Sequence, residues 1–315
     1  MRAIVFDQTL QLRNNVTLRP PEGDEVIVDV VKAGICETDL QLCQGYMGFS
    51  GTLGHEFVGI ARSGRFAGQR VVGEINCPCQ ACEMCRRQLT NHCPNRTVIG
   101  IVAHDGAFAD SVIVPDKNLH AVPDNVSDTD AVFVEPIAAA CRIAQQVNLL
   151  GGEAVTVLGD GRLGNLCAQV LRFQGCEVRV VGKHEFKLRI LEQLGIQTTR
   201  LANLQPERSS DIVVDCTGST SGLPTALQHV RPCGTIVLKT TVAAEQTLHM
   251  APFVIDEIKL VGSRCGPFAD ALALLSENAI SVAPLHSASY PLEAVTTAFE
   301  HATRKDALKV LFDVR

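Results

Sequence analysis

The spacing of hydrophobic residues differs between parts of the chain. From Met1 to about Arg142, short apolar runs are separated by turns, and Val26–Val31 and Ser111–Val114 are two of these runs. Short runs rich in β-branched residues, with prolines and glycines between them, are typical of strands. The first part is therefore predicted to be a β-rich domain.

After Gly152 the pattern predicts alternating strands and helices. The apolar run Ala154–Leu158 predicts a buried strand, and Leu163–Phe173 predicts a helix. Further strands are predicted at Val178–Val181, Asp211–Asp215, Thr235–Leu238 and Lys259–Gly262. Such alternation is typical of a doubly wound parallel sheet, so the second part is predicted to be an α/β domain.

The tail differs from both parts. Its hydrophobic pattern predicts a helix over Leu292–His301 and a strand over Lys309–Phe312. We expect this tail to pack on the first domain. The predicted domains are thus 1–142 together with 283–315, and 143–282. Two long linkers are expected, one in a cysteine-rich lobe and one from Thr240 to Pro252.

Length and charge narrow the class of protein. The chain has 315 residues, which fits about two domains. Its 34 acidic residues exceed its 28 lysines and arginines, so no basic surface for nucleic acid is expected. The N-terminus lacks a signal-peptide core, and no apolar run approaches the roughly 18 residues of a membrane span. We expect a soluble cytoplasmic protein without a nucleic-acid or membrane partner.

Four cysteines lie close together in the first domain. Two, two and seven residues separate them in the order Cys79, Cys82, Cys85 and Cys93. One short lobe with this spacing can place four thiolates around a zinc ion at roughly 2.3 Å. Because four thiolates complete a tetrahedral shell, this zinc is predicted to be structural. The chain has 13 cysteines and no signal peptide, which favours metal sites and buried thiols over disulfides.

A second group mixes cysteine, histidine and acidic residues. Cys36, Thr38 and Asp39 lie in one short segment, and His55 and Glu56 lie in another. Mixed ligands from separate segments are expected of a catalytic zinc that keeps one position open. Taken singly, His55 could be a satisfied buried histidine and Thr38 a helix N-cap.

A glycine-rich turn follows the first predicted strand of the α/β domain. The turn comprises Gly159, Gly161, Arg162, Leu163 and Gly164 and opens the next helix. A G-x-G-x-x-G sequence in this context brings backbone N–H groups onto a pyrophosphate. The turn therefore predicts a dinucleotide site.

The end of the next strand bears on the choice of cofactor. An acid usually found there accepts ribose hydroxyls, but this chain has Gly182, followed by Lys183 and His184. Without a carboxylate the repulsion of a 2′-phosphate is removed, and the two basic side chains supply donors. NADP(H) is therefore expected to be preferred over NAD(H). Alternatively, Lys183 and His184 merely cap an exposed loop.

The sequence resembles the zinc-containing medium-chain dehydrogenase/reductase family of alcohol, polyol and sugar dehydrogenases. The resemblance covers most of the chain and is carried by Ala33–Asp39, Gly54–Gly59, the four-cysteine lobe, Gly106–Asp110, Val134–Pro136, the Gly159 turn and Asp211–Gly218. It implies an α/β fold with a GroES-like β-rich catalytic domain that carries both zincs and a doubly wound Rossmann domain. Thr217 would then lie at the cofactor.

The resemblance also implies roles for single residues. Cys36, His55 and Glu135 would bind the catalytic zinc, with Glu56 as an alternate acid near the metal. Asp39 would hydrogen-bond the ligand histidine, and Thr38 would take the alcohol proton. Glu135 could instead be a salt-bridge partner at the domain junction. Members of the family are commonly dimers or tetramers, so we expect a homodimer or homotetramer.

Together these patterns predict an enzyme that uses two zinc ions per chain and NADP(H). It would transfer hydride between the cofactor and the hydroxyl of an alcohol, polyol or sugar, a small-molecule substrate, giving an aldehyde or ketone. Two alternatives stay open: a zinc-independent quinone or enone reductase, and a noncatalytic NADPH-binding protein of the same fold. The metal content and the effect of a chelator test the first alternative, and the absence of both catalytic metal and turnover would favour the second.

Overall fold

A computed structural model of the chain describes residues 1–241, 245 and 247–315. These residues form two compact units. The first contains Met1–Glu135, Leu275–Glu277 and Val282–Arg315, and the second contains Pro136–Leu274 and Asn278–Ser281. The first stretch ends at Glu135, before the boundary predicted at 142. The predicted linker from Thr240 to Pro252 includes residues 242–244 and 246, which lie outside the described residues.

The described helices and strands follow one another along the whole chain. The strands are β1 (Ala3–Asp7), β2 (Thr9–Arg13), β3 (Glu25–Gly34), β4 (Gly51–Thr52), β5 (Glu56–Ala61), β6 (Arg70–Gly73), β7 (Asn76–Cys77), β8 (Thr97–Val98), β9 (Ser111–Pro115), β10 (Leu119–Ala121), β11 (Ala154–Leu158), β12 (Glu177–Gly182), β13 (Gln197–Arg200), β14 (Ser210–Asp215), β15 (Val230–Leu238), β16 (Lys259–Gly262), β17 (His286–Pro291) and β18 (Lys309–Asp313). The α-helices are α1 (Glu37–Cys43), α2 (Glu83–Arg86), α3 (Asp128–Ala131), α4 (Val134–Gln146), α5 (Arg162–Phe173), α6 (Glu185–Gln193), α7 (Gly222–His229), α8 (Ala251–Ile255), α9 (Phe268–Ser276) and α10 (Val295–Ala302).

The first unit is built on a largely antiparallel sheet. Its strands run in the order β10-β6-β5-β3-β18-β17, and β9 also pairs with β3. The tail of the chain thus contributes β17 and β18 beside β3. Phe108, Phe299 and Phe312 lie at the centre of its core, and the rings of Phe108 and Phe312 meet edge to face at 5.0 Å. Edge-to-face contacts add to the apolar burial that holds the tail in place.

The second unit is a parallel sheet with helices between its strands. The strand order is β13-β12-β11-β14-β15-β16, and all five neighbouring pairs are parallel. The strands predicted from the apolar runs after Gly152 are confirmed at β11, β12, β14, β15 and β16. From β11 the chain adds β12 and β13 on one side and then β14, β15 and β16 on the other. Ligands of such sheets bind at the carboxyl ends of the strands where this change occurs. No helix in the described part of the chain has the length and apolar character to span a bilayer.

Candidate active site and cofactor site

Strand pairing brings the predicted metal ligands together. In the antiparallel register of β3 and β5, Gly34 lies opposite Glu56. Cys36 follows the end of β3 by two residues, and His55 precedes β5 by one. Residues just beyond paired strand ends are close in space, so two segments distant in sequence form one site.

Gly54 allows the chain to turn sharply before His55. Its φ is +99°, and a Cβ added to it would lie 2.7 Å from Cγ of the buried Phe108. Only glycine avoids both the backbone strain and the clash with the core. The local fold of the ligand segment therefore depends on the packing of the first unit.

The ligand atoms of Cys36, His55 and Glu56 all lie within 4.8 Å of one another. His55 is 2% exposed and Glu56 is 1% exposed. Asp39 Oδ1 lies 3.4 Å from His55 Nδ1, and Asp39 Oδ2 accepts a hydrogen bond from the Cys36 backbone N–H at 2.8 Å. A carboxylate on one ring nitrogen leaves the other for a metal. This set of a half-buried thiol with a buried imidazole and carboxylate fits a zinc ion.

The electrostatics of the site favour a cation. Burial alone would lower the pKa of His55, but the negative charges of Asp39 and Cys36 outweigh burial and raise that pKa well above 6.5. The surrounding groups thus attract positive charge to the imidazole. A metal dication bound by the same ligands would meet the same attraction.

Thr38 lies beside the set. Its Oγ1 is 3.8 Å from the sulfur of Cys36, and its side chain is half-buried. The residue that caps α1 is Cys36, so the interpretation of Thr38 as a helix N-cap is wrong. Its hydroxyl oxygen thus lies next to one sulfur of the ligand set.

Glu135 lies outside the compact set. It is half-buried in the first turn of α4, and the group within 4.8 Å contains Glu56 as its carboxylate. Both glutamates belong to the first unit. The assignment of Glu135 as the third ligand stays a prediction.

A buried lysine, Lys309, pairs with Glu56. Its ammonium forms an ion pair with the Glu56 carboxylate, and both side chains are inaccessible to solvent. The ammonium also lies 5.6 Å from the centre of the Phe133 ring. Burial lowers the pKa of Lys309 to about 8, although the charges of Cys36 and Asp39 oppose this shift. Lys309 therefore supplies a positive charge at the edge of the ligand set.

The four-cysteine lobe brings its sulfurs within 4.8 Å of one another. Neighbouring sulfurs lie 3.5 Å apart for Cys82 and Cys85, 3.7 Å for Cys82 and Cys93, and 3.5 Å for Cys93 and Cys79. Four sulfurs at roughly 2.3 Å from a zinc would be about 3.8 Å apart, so the lobe fits the ion. Backbone N–H groups of the lobe lower the pKa of Cys79 to about 6, which favours its thiolate form.

Each glycine of the dinucleotide turn is needed for a different reason. Gly159 has a φ of +116°, and an added Cβ would lie 2.7 Å from the carbonyl oxygen of Cys216. A Cβ on Gly164 would overlap the carbonyl oxygen of Gly159. Gly161 caps α5, and an added Cβ there would meet nothing within 4 Å. This open space at a helix N-terminus fits a pyrophosphate.

The predicted ribose residues lie at the end of β12 in the same unit. Leu158 of β11 pairs with Val181 of β12, so the glycine turn and Gly182 emerge side by side. Lys183 is exposed and His184 is half-buried. Thr217 follows β14 and donates from Oγ1 to Asp215 at 2.8 Å.

Family models match both units. Residues 22–124 match the alcohol dehydrogenase GroES-like domain, and residues 163–277 match the zinc-binding dehydrogenase model. The chain belongs to the zinc-containing medium-chain dehydrogenase/reductase family. The first unit is thus the GroES-like domain of this family, and the second is its Rossmann domain.

Curated relatives of the chain include dehydrogenases named for a sugar-acid derivative and for a polyol. The chain is 29% identical over 301 residues to 2-dehydro-3-deoxy-L-galactonate 5-dehydrogenase of Pseudoalteromonas atlantica, covering 89% of this chain and 88% of the relative. It is 28% identical over 316 residues to sorbitol dehydrogenase of Halalkalibacterium halodurans, covering 92% of each.

Solved structures of the family have the same fold. Alcohol dehydrogenase from Thermus sp. ATN1 is 27% identical, with a TM-score of 0.93 and 100% coverage of both chains. A chain from Sinorhizobium meliloti 1021, bound to NADP, is 25% identical with a TM-score of 0.90 and 99% coverage of both. A chain from E. coli CFT073, complexed with NADH, is 24% identical with a TM-score of 0.92, covering 100% of this chain and 99% of its own.

Two charged residues of these sites escaped the sequence patterns. Lys309 begins an apolar strand, where a charge normally faces solvent, and only the pairing of β18 with β3 brings it to Glu56. Asp160 lies inside the glycine turn, and a G-x-G-x-x-G pattern ignores the residue type at that position. In both cases the sequence does contain a signal: a charged residue in an apolar strand or in a ligand-binding turn, where a charge is not expected.

Proposed function

We propose that this member of the family is a zinc- and NADP(H)-dependent dehydrogenase that oxidises an alcohol, polyol or sugar hydroxyl to the aldehyde or ketone, or catalyses the reverse reduction. The buried set of Cys36, His55 and Glu56 carries the proposal, because three such ligands leave one position for a substrate oxygen. The sugar-acid and polyol relatives support the substrate class.

The residues of the set have separate roles. Zinc bound there supplies a Lewis acid for the substrate oxygen. Asp39 holds His55 in the orientation that presents its free ring nitrogen. The hydroxyl of Thr38 takes the proton of the substrate hydroxyl, and its half-buried position gives that proton a route to solvent. Cys36 and His55 act as ligands, with Glu135 or Glu56 as the third.

The preference for NADP(H) over NAD(H) is part of this proposal. Gly182 brings no carboxylate from β12, and the exposed ammonium of Lys183 and the imidazole of His184 stand beside it. Similar structures hold NADP in one case and NADH in another, so they support a nicotinamide cofactor of either kind. The argument for NADP(H) therefore rests on the residues of this segment.

Metal analysis and turnover test the proposal together. The purified protein should hold two zinc ions per chain and oxidise members of a panel of alcohols, polyols and aldoses, followed by nicotinamide absorbance. Cys36→Ser should lose one zinc and turnover while still binding cofactor. Cys141→Ala, a buried cysteine outside both ligand sets, is the matched control and should keep two zinc ions and activity. Turnover that survives Cys36→Ser and a chelator would instead support the zinc-independent reductase.

We also propose that the chain assembles as a homodimer or homotetramer. Strand β16 is at one edge of the parallel sheet, and edge strands offer unpaired backbone groups to a second chain. Val254 and Ile255 of the adjoining α8 are each 77% exposed, and Leu260 of β16 is 42% exposed. Light scattering should give a mass of two or four chains, and Val254→Glu should lower it. A monomer at micromolar concentration would refute the assembly.

A further inference from the structure

Asp160, the second residue of the glycine turn, faces the neighbouring strand. The residue is 7% exposed. Its Oδ2 accepts hydrogen bonds from the backbone N–H groups of Lys183 at 2.6 Å and His184 at 2.5 Å. Its Oδ1 lies 3.1 Å from Nδ1 of the His184 ring. One buried carboxylate therefore holds the whole segment that follows β12.

The same carboxylate explains why residue 182 is glycine. A Cβ added to Gly182 would lie 2.5 Å from Oδ2 of Asp160 and 2.7 Å from its Cγ. Gly182 does not have a positive φ, so space and not backbone conformation requires the glycine. The absence of an acid at the end of β12 is thus linked to the presence of Asp160 in the turn. A side chain at 182 and the carboxylate of Asp160 exclude each other.

We propose that Asp160 is a positioning residue for the adenosine ribose of the cofactor, acting through the main chain of Lys183 and His184. This inference rests on the proposed function, because it assumes a dinucleotide on the glycine turn. In such sheets the ribose lies between the ends of the strands that here are β11 and β12. The segment held by Asp160 is at that place.

The hydrogen bonds decide between positioning and direct binding. Oδ2 already accepts two N–H groups, and Oδ1 faces the His184 ring, so little acceptor capacity is left for ribose hydroxyls. Hydrogen bonds to a charged acceptor are stronger than those to a neutral one, so the two bonds to Asp160 fix this short segment. The ammonium of Lys183 has no partner among the residues that the structure describes, so it is free to meet a 2′-phosphate. Asp160 therefore orients the donor instead of contacting the ligand.

Binding of NADPH and NADH to Asp160→Ala and Asp160→Asn, measured by calorimetry, tests the inference. Alanine removes the acceptor, and we expect NADPH to bind at least about tenfold more weakly, the loss of one good hydrogen bond. Asparagine keeps an oxygen for the two N–H groups and can turn its amide toward His184, so NADPH affinity should stay within about threefold of wild type. Rescue by asparagine is a result that general destabilisation would not produce.

A double-mutant cycle with Lys183→Ala identifies the route of the effect. If Asp160 acts by holding Lys183 in place, Asp160→Ala should weaken NADPH binding little further once Lys183 is alanine. The matched control is Asp211→Ala. Asp211 accepts a hydrogen bond from the Ala154 N–H at 2.8 Å, at the opposite end of the same sheet. This control should alter thermal unfolding but leave both cofactor affinities unchanged.

Three outcomes would overturn the positioning role. The first is an NADPH affinity of Asp160→Ala equal to that of wild type. The second is additive losses of NADPH affinity in the double-mutant cycle. The third is NADPH binding that is about tenfold tighter in Asp160→Asn than in wild type. The last would mean that the carboxylate faces and repels the 2′-phosphate. If instead wild type prefers NADH and Lys183→Ala changes neither affinity, the proposed NADP(H) preference is wrong. In that case NADH affinity alone tests the role of Asp160. The role predicts weaker NADH binding in Asp160→Ala and recovered NADH binding in Asp160→Asn.

Discussion

Replacing Lys309 with methionine should destabilise the GroES-like domain sharply. The substitution keeps the length and much of the volume of the side chain but removes the positive charge that pairs with Glu56. Both side chains are inaccessible to solvent, and within the described chain Lys309 alone pairs with the Glu56 carboxylate. The variant therefore leaves a carboxylate buried without its counter-charge.

The size of the effect follows from the cost of such a charge. Removing one partner of a buried ion pair destabilises a protein by about 3–5 kcal/mol. A bound zinc ion would supply positive charge near Glu56, so the loss should be smaller in zinc-loaded protein than in a Cys36→Ser background. Adding Glu56→Gln should recover much of the stability, because a neutral amide needs no counter-charge.

Urea unfolding of each variant measures these differences, provided that the slope of the transition is unchanged. Lys32→Met is the matched control. Lys32 lies on β3 of the same sheet and pairs with Asp313, but it is partly exposed, so its loss should cost about 1 kcal/mol or less. The reasoning fails if Lys309→Met costs no more than this control, or if the added Glu56→Gln restores nothing.

Three further results are expected. Cys82→Ser should remove the structural zinc and lower the melting temperature, whereas Cys36→Ser should leave that zinc bound. Elemental analysis of both variants checks this, and loss of both ions in each variant would contradict separate sites. Lys183→Ala should weaken NADP(H) binding about ten- to a hundredfold by calorimetry and barely alter NAD(H) binding. Burial would raise the pKa of Asp110, but hydrogen bonds from Arg2 lower it below 3.8. Its contribution to stability should therefore persist above pH 3.8 and disappear below it, and Asp110→Asn should remove that step from the acid-unfolding curve.

Many of the strands and helices, and the kinds of chemistry, could be predicted from the sequence alone. The short run Ala154–Leu158 predicts a buried strand because it is rich in β-branched residues and has glycines on both sides. The four-cysteine lobe and the glycine turn are equally local, since all their residues lie within about one turn or loop of chain. These are the features in which pattern and structure agree.

Which charged side chains meet depends on how the strands pack. The pairing of β18 with β3 brings Lys309 to Glu56, and the parallel pairing of β11 with β12 brings Asp160 to Gly182. Neither contact has a periodic or spacing signal, because each joins segments from different strands. The sequence shows that position 182 has no carboxylate. The structure adds that the buried carboxylate of Asp160, in the neighbouring turn, fills that space. Low dielectric and exclusion of water make such contacts energetically decisive, and burial is a property of the packed fold.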